Sequence, residues 1–547
     1  MQTSCTSTRY RLNTWQISCI SPSMFVKNTF FIILLTCISV QVKAQKTVTG
    51  PYGELFSVCT VASGLSDPWE ITVGPDQYLW VTESRGYRVC RIHPLTSIKS
   101  VVLNLDSAKN FPRYDLLPEE QSGGKPWPQS GLMGMAIHPN FAKEHPYVYL
   151  AWLSSFAGAD STGKGCLEGN KGCFFKTTIA RFSYNASTQR LEQPVIICDT
   201  IPGSNDHNGG RLLIAPVNNN YYLFYTVGDM GAGQYGNAGR SNHAQQTGSY
   251  EGKVLRFCTI PDNDTGRYDK WIPNDNPFNS TVQNAVWSYG HRNAQGICQA
   301  VIQGTNRIYA AEHGPFSDDE INLVEKGMNY GHPLVIGYND NNYNQLAAGT
   351  TRDSSLPGKW HSTYPLINDE HANANTIGSI YRDPLLSLYP VSNDSLTKLF
   401  GVLQEPGKEM PDWPSEAPSS IEVYQSTAIP GWHNSLLVTT LKGGKLIRLL
   451  LSKNGDKIKG EPLHYFNAKV RYRDIAVSPD GNTIYLATDS STVSSGPTQH
   501  SKAVPEQRGT IIAFKYIGQQ QSTPPEQPQE NDPGKVPAAI NHSRDEQ

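Results

Sequence analysis

Short apolar runs rich in aromatic and β-branched residues recur along the chain, each behind a turn of Pro, Gly, Asn or Asp. Six stretches share this pattern: GPDQYLWVTE (74–83), HPYVYLAW (145–152), NNNYYLFYTVGD (218–229), TNRIYAAEHG (305–314), PGWHNSLLVTTLKGG (430–444) and SPDGNTIYLATD (478–489). Each predicts a strand following a tight turn. Their recurrence at intervals of tens of residues, with few long helical patterns between, predicts an all-β fold made by radial repetition, a six-bladed β-propeller. Several of the runs end in polar residues: Glu83, Asp229, His313, Lys442 and Asp489. Equivalent strand ends of a propeller crowd one mouth, so these side chains are expected to converge. The long gap between His313 and Pro430 predicts extended loops on one face.

Composition narrows the picture. Charged residues are 17% of the 547-residue chain and the net charge is -2, with nothing basic enough for nucleic acid. Residues 24–44 read as a secretory signal: Lys27, an apolar run from Phe30 to Val40, then Val42 and Ala44 spaced for cleavage before Gln45. Met24 is the expected start, residues 1–44 being extension and signal, and the mature protein is expected to be secreted or periplasmic. A retained N-terminal anchor is the alternative. The propeller is expected over 45–517, and the Pro-, Gln- and Glu-rich segment 518–547 to be disordered. Beyond Gln45 the cysteines are odd in number, so one at least is unpaired within the chain. Cys166 and Cys173, bracketing a polar loop, are the expected bridge. Cys258 and Cys298 sit in apolar runs and read as buried small hydrophobes.

Candidate chemistry starts at SNDHNGGRL (204–212), where Asp206 and His207 stand side by side in a turn. A histidine in a turn is ordinarily a solvated surface residue, so the rest of the chain has to supply its partners. GAGQYG (231–236) fits the dinucleotide pattern G-x-G-x-x-G, but no helix follows to hold a pyrophosphate. DNDTG (262–266) opens like a calcium loop, but Pro273 stands where the bidentate Glu is needed. SDDEINLVEKGMNYGHP (317–333) concentrates Asp318, Asp319 and Glu320 beside turns whose carbonyls are further oxygen donors for Ca²⁺. Arg292, Lys442, Arg471 and Arg473 give four cations at one mouth, a set suited to a small polyanion.

DPWEITVGPDQYLWVTE, QSGLMGMAIHPNF, DHNGGRL, YTVGDMG, GHRNAQG, EHGPFSDDEINLVEKGMNYGHP, LKGGKLIR and RYRDIAVSPDGNTIYLATD occur in this order. With that order and spacing the chain resembles the soluble pyrroloquinoline quinone (PQQ) dependent glucose dehydrogenases of the glucose/sorbosone dehydrogenase family, over roughly residues 55–517. The resemblance implies an exported, six-bladed, calcium-requiring oxidoreductase that oxidises an aldose to its lactone and passes electrons to an external acceptor. It implies His207 as general base, Asp229 as its orienting carboxylate and Arg292 at the quinone carbonyl. Asn293, Lys442, Arg471 and Arg473 match groups that bind the PQQ carboxylates, and Gln129 and Asp206 match further PQQ-site positions. Gly314 and Pro315 match carbonyl ligands of the active-site Ca²⁺. Asp319, Glu320 and the Tyr330 carbonyl match a second calcium site, and the Ile336 and Tyr338 carbonyls with Asp340 match a third, both tied in the family to homodimer formation.

The chain departs from the family pattern at His313, where a Gln lies beside PQQ, and on the sugar-facing wall, where Tyr235 replaces Leu and Met410 replaces Tyr while Trp413 is kept. Two other readings stand beside the dehydrogenase: a propeller that binds a protein partner without chemistry, which has little use for Lys442, Arg471 and Arg473, and a calcium-dependent lactonase on the same architecture.

Overall fold

In the computed structural model the described residues are 46–106, 130–154, 172–265, 268–408, 411–490 and 506–520. The expected signal segment, Cys166, Gln129, Met410 and the tail beyond 520 lie outside them. The strands form six antiparallel sheets, each a blade: 68–104, 132–203, 212–289, 294–388, 418–465, and a sixth that joins 472–519 to the N-terminal strands Lys46–Thr49 and Glu54–Ala62. Pairing of Glu54–Ala62 with the last strand, Ile511–Gln519, makes the sixth blade from both ends of the chain. That last strand runs two residues past the boundary expected from composition, because Leu55 and Glu54 still have Gly518 and Gln519 as ladder partners.

The expected six runs are the second strands of the six blades: Leu79–Glu83, Tyr147–Ser154, Asn220–Val227, Thr305–Glu312, Ser435–Thr440 and Thr483–Thr488. Most of their residues are buried, since sheets lie against both faces. Six apolar clusters fill the six junctions between neighbouring blades. Trp80 and Val89 of the first blade pack with Leu132 and Val148 of the second, for example, and Tyr485 and Ile511 of the sixth return to Ile71 and Leu79 of the first. The ring is therefore closed by apolar burial as well as by strand pairing.

The long stretch after His313 builds its own small core. Helix α1 (Glu370–Ile377) and helix α2 (Asn393–Gln404) sit in it, around Phe316, Tyr343, Trp360, Tyr364, Phe400 and Trp413. Asp369 caps α1 by accepting the Ala372 amide. Cys258 and Cys298 are free and buried, as expected, and so is Cys90. Cys173 is disulfide-bonded, with its partner outside the described residues. Among the described residues, no helix is long and apolar enough to cross a membrane.

Candidate active site

His207 and Asp229 come from the two ends of one hairpin of the third blade, ahead of strand Leu212–Val217 and just after strand Asn220–Val227. The approach is close because Gly228 has no side chain: a Cβ there would lie 2.0 Å from the His207 carbonyl oxygen. His207 itself has φ 50°, a left-handed conformation uncommon for a residue with a Cβ. It is held there by its amide, which donates to Asp206 Oδ1 at 3.0 Å, and by its carbonyl, which accepts from the Met230 amide at 3.3 Å.

His207 is 4% exposed, so the solvated-turn reading is set aside. Its Nδ1 lies 2.7 Å from Asp229 Oδ1. The Gly231 amide donates to the same oxygen at 2.9 Å. The other oxygen, Oδ2, accepts from the Tyr364 hydroxyl at 2.9 Å and the Asn242 amide at 3.1 Å, and faces His332 Nε2 at 2.9 Å. Burial works to raise the Asp229 pKa, but the His207 and His332 contacts outweigh it and hold the carboxyl well below the usual range. Asp229 is thus an anion that fixes Nδ1 of His207 as the protonated nitrogen and leaves Nε2 as the basic one.

Nε2 of His207 is met by the Gln234 side-chain amide at 2.9 Å, and Arg292 Nη2 donates to Gln234 Oε1 at 2.9 Å. Arg292 Nη1 donates to the His313 carbonyl at 3.1 Å. The Arg292 guanidinium is buried, its Nε meets no hydrogen-bond partner, and no carboxylate among the described residues pairs with it. A buried guanidinium without a counter-ion is costly unless an anion joins it. Glu312 positions it: Oε2 accepts the amides of Arg292 and Asn293 at 2.9 and 3.3 Å, and Oε1 accepts from Asn322 at 2.8 Å. Asn293 in turn accepts the Gly209 amide through Oδ1 at 3.1 Å.

His313 is buried within electrostatic reach of Arg292 and Arg473; burial and those cations push its pKa well below the ordinary value. It is a neutral imidazole, and its Nε2 meets no partner. The remaining cations are more compensated than their residue types suggest. Arg473 holds Asp489 with two hydrogen bonds, 2.9 and 2.7 Å, and Gln295 with a third at 2.6 Å. Arg471 faces the same Asp489 at 3.6 Å. Lys442 pairs with Asp412 at 2.7 Å and lies over the Trp413 ring at 5.0 Å. Of these four cations, Arg292 is the one with no carboxylate partner among the described residues. Glu83 does not join the site, since Arg88 and Lys99 of its own blade pair with it at 2.5 and 3.3 Å.

Asp319 and Glu320 are neighbours on one strand, so their side chains leave on opposite faces. Asp319 accepts from Gly314, Ser415, Glu416 and Ala417; Glu320 accepts from Gly337 and Asn322. The two carboxylates expected at one calcium site are held by separate sets of protein donors. Tyr330 stacks on His291 and donates its hydroxyl to the Leu323 carbonyl. Asp340 is exposed, with its amide on the Tyr338 carbonyl at 2.9 Å, while Ile336 is buried. Among the described residues no group of three or more His, Cys, Asp or Glu side chains is arranged for a metal. On the sugar-facing side Tyr235 is 45% exposed and within electrostatic reach of Asp206 and Arg292. Trp413 is buried edge-on to Phe316 instead of forming an open wall. Gln234, His332, Tyr364 and Asn242 were not among the expected site residues, although GAGQYG and GMNYGHP contain the first two.

Residues 65–363 and 404–494 match the family model "Glucose / Sorbosone dehydrogenase". The chain belongs to that family. It is an oxidoreductase of the glucose/sorbosone dehydrogenase type. It is 32% identical over 485 residues to quinoprotein glucose dehydrogenase B of Acinetobacter calcoaceticus, covering 85% of this chain and 91% of that protein. With the aldose sugar dehydrogenase YliI of Escherichia coli it shares 24% over 470 residues, 85% and 96% of the two chains. The PQQ-bound aldose sugar dehydrogenase of Streptomyces coelicolor superposes with a TM-score of 0.54 at 21% identity, covering 85% of this chain and 99% of that one, a likeness of fold.

Proposed function

We propose that this glucose/sorbosone dehydrogenase is an exported, PQQ-dependent enzyme that oxidises an aldose to its lactone, with His207 as general base. The carrying observation is the pairing of a carboxylate-braced imidazole with a buried, uncompensated guanidinium a single amide away, at Gln234. PQQ fits this mouth because it is a trianion and the buried Arg292 guanidinium has no carboxylate partner among the described residues, with unpartnered atoms at Arg292 Nε and His313 Nε2. Arg292, Asn293, Lys442, Arg471 and Arg473, with Asp206, His313 and Gln129, would hold it; bound, it supplies the hydride acceptor. His207 Nε2 takes the proton of the anomeric hydroxyl, displacing the Gln234 amide that meets it now. Asp229 stabilises the imidazolium that results. Arg292 supplies positive charge to the oxygen that becomes negative.

Calcium is assigned to the backbone carbonyls of Gly314 and Pro315, hard oxygen donors of the kind that Ca²⁺ takes. Asp319 fits the support of that turn, accepting the Gly314 amide at 3.0 Å, better than it fits a ligand. Export rests on the segment before Gln45, and a homodimer on the family resemblance. Apoprotein titrated with PQQ and Ca²⁺, then given glucose and an artificial electron acceptor, tests the reading. Reduction of the acceptor that requires both PQQ and Ca²⁺ supports it. Failure of any aldose to reduce the bound quinone overturns it.

A further inference from the structure

Asp229 has two imidazoles on it, one for each oxygen. We infer that His332 is a positioning residue: by holding Oδ2 of Asp229 it reserves Oδ1 for His207 and sets how much negative charge that oxygen presents to the imidazole. This rests on the reading of His207 as the base. His332 is buried at 4% exposure, its Nε2 is 2.9 Å from Asp229 Oδ2, and its Nδ1 meets no partner. Its backbone is held on both sides, the amide donating to the Gly290 carbonyl at 3.0 Å and the carbonyl accepting from Gln245 at 2.8 Å. The Tyr364 ring packs edge-on to it at 5.7 Å while the Tyr364 hydroxyl donates to the same Oδ2.

The groups facing His332 are Asp229 after the second strand of the third blade, Arg292 before the fourth blade, Glu312 at the end of its second strand, and Asn242 and Tyr364 from loops. Nε2 lies 2.9 Å from a carboxylate oxygen, which only accepts, so it is the His332 nitrogen that donates its N–H to Oδ2. Each donor on Oδ2 draws charge away from Oδ1. Removing the His332 donor strengthens Asp229 as an acceptor for His207, holds the imidazolium more tightly, and loosens the carboxylate sideways. The acid limb of kcat/KM then moves to higher pH, and turnover falls because the base is less well aimed.

The test compares His332→Leu, which removes the donor, with His332→Gln, whose side-chain amide nitrogen can stand where Nε2 stands, and with Tyr364→Phe, which removes one donor from the same oxygen and keeps the ring. Two quantities are read in each reconstituted holoenzyme: the pH profile of kcat/KM and the low-field proton resonance of the His207–Asp229 hydrogen bond. His332→Leu is expected to move the acid limb upward, displace the resonance, and lower kcat by about 10²-fold, the scale of a small misplacement of a catalytic group; KM is expected to keep its wild-type value. His332→Gln restores limb and resonance, and Tyr364→Phe moves both in the direction of His332→Leu. An acid limb and resonance unchanged in His332→Leu, or in Tyr364→Phe should the former not fold, overturn the inference. A His207→Ala control with full turnover overturns the reading beneath it instead, so the two failures are told apart.

Discussion

Asp229 Oδ1 lies 2.7 Å from His207 Nδ1, and the same carboxylate is gripped on its other oxygen by Tyr364, Asn242 and His332. Because the grip has two sides, the imidazole has one tautomer. His207→Ala is expected to lower kcat by about 10²- to 10⁴-fold, the worth of a general base, while PQQ titration of the variant keeps the wild-type affinity. Asp229→Asn presents an N–H to Nδ1 and favours the wrong tautomer, and is expected to cost about 10⁴-fold in kcat. Steady-state kinetics at saturating sugar checks both.

The same carboxylate gives a pH dependence of stability. Its folded pKa is held below the ordinary value, since the His207 and His332 contacts outweigh burial. A depressed carboxylate contributes stability that is present above its unfolded pKa and is lost as pH falls. Asp229→Asn is therefore expected to be less stable than wild type near neutrality, with the difference shrinking below about pH 4, the unperturbed range of an Asp. Denaturant unfolding of both proteins across pH 2.5–7 reads it, and a gap that widens toward acid contradicts it.

Arg292 predicts opposite signs with and without cofactor. In the apoprotein its guanidinium is buried with no carboxylate partner among the described residues, so Arg292→Met removes a desolvated charge and is expected to leave the apoprotein equally or more stable. With Arg292 holding PQQ as proposed, the substitution removes charged hydrogen bonds worth about 1.5–3 kcal/mol, so PQQ affinity is expected to fall by about 10- to 100-fold. Thermal unfolding of the apoprotein and fluorescence titration with PQQ separate the two effects.

The propeller was legible because a strand that is buried on both faces has to be apolar and has to end in a turn. The runs 74–83 and 478–489 announce Leu79–Glu83 and Thr483–Thr488 in this way. His207 and Asp229 were legible once the hairpin joining them was. What could not be read was which side chains pair: Arg473 was counted among four cations at the mouth, but Asp489, at the other end of the same hairpin, binds it with two hydrogen bonds. The carboxylates at 319 and 320 read as one acidic cluster in the sequence, while the strand sends them to opposite faces. Tyr364, more than a hundred residues from Asp229, reaches it only because the loop core around Phe400 and Trp360 folds over the mouth.

Arg211 shows the same limit at its strongest, and supplies the last prediction. In the sequence it is only the cation at the end of DHNGGR. In the fold its guanidinium donates to the Gln295 carbonyl at 2.6 Å, the Trp69 carbonyl at 2.8 Å, and the Ser419 and Arg473 carbonyls at 3.0 Å each, with Glu70 at 2.8 Å and Asp474 at 3.2 Å as counter-ions. One side chain from the third blade thus ties the first, fourth, fifth and sixth together beneath the site. Arg211→Met leaves those carbonyls without a donor and Glu70 and Asp474 without their cation. Burial and the Asp474 charge already push Glu70 up to about 8, and losing the guanidinium pushes it further. The substitution is expected to cost about 3–5 kcal/mol, the scale of breaking a buried ion pair from one side. Glu70 keeps its proton in the folded wild type up to about pH 8, so below that pH both proteins lose stability with rising pH alike, and the variant's extra loss grows as pH rises above about 8, where only the wild type ionises. Chemical unfolding at pH 7 and pH 9 measures it, and an equal loss at the two values contradicts the account.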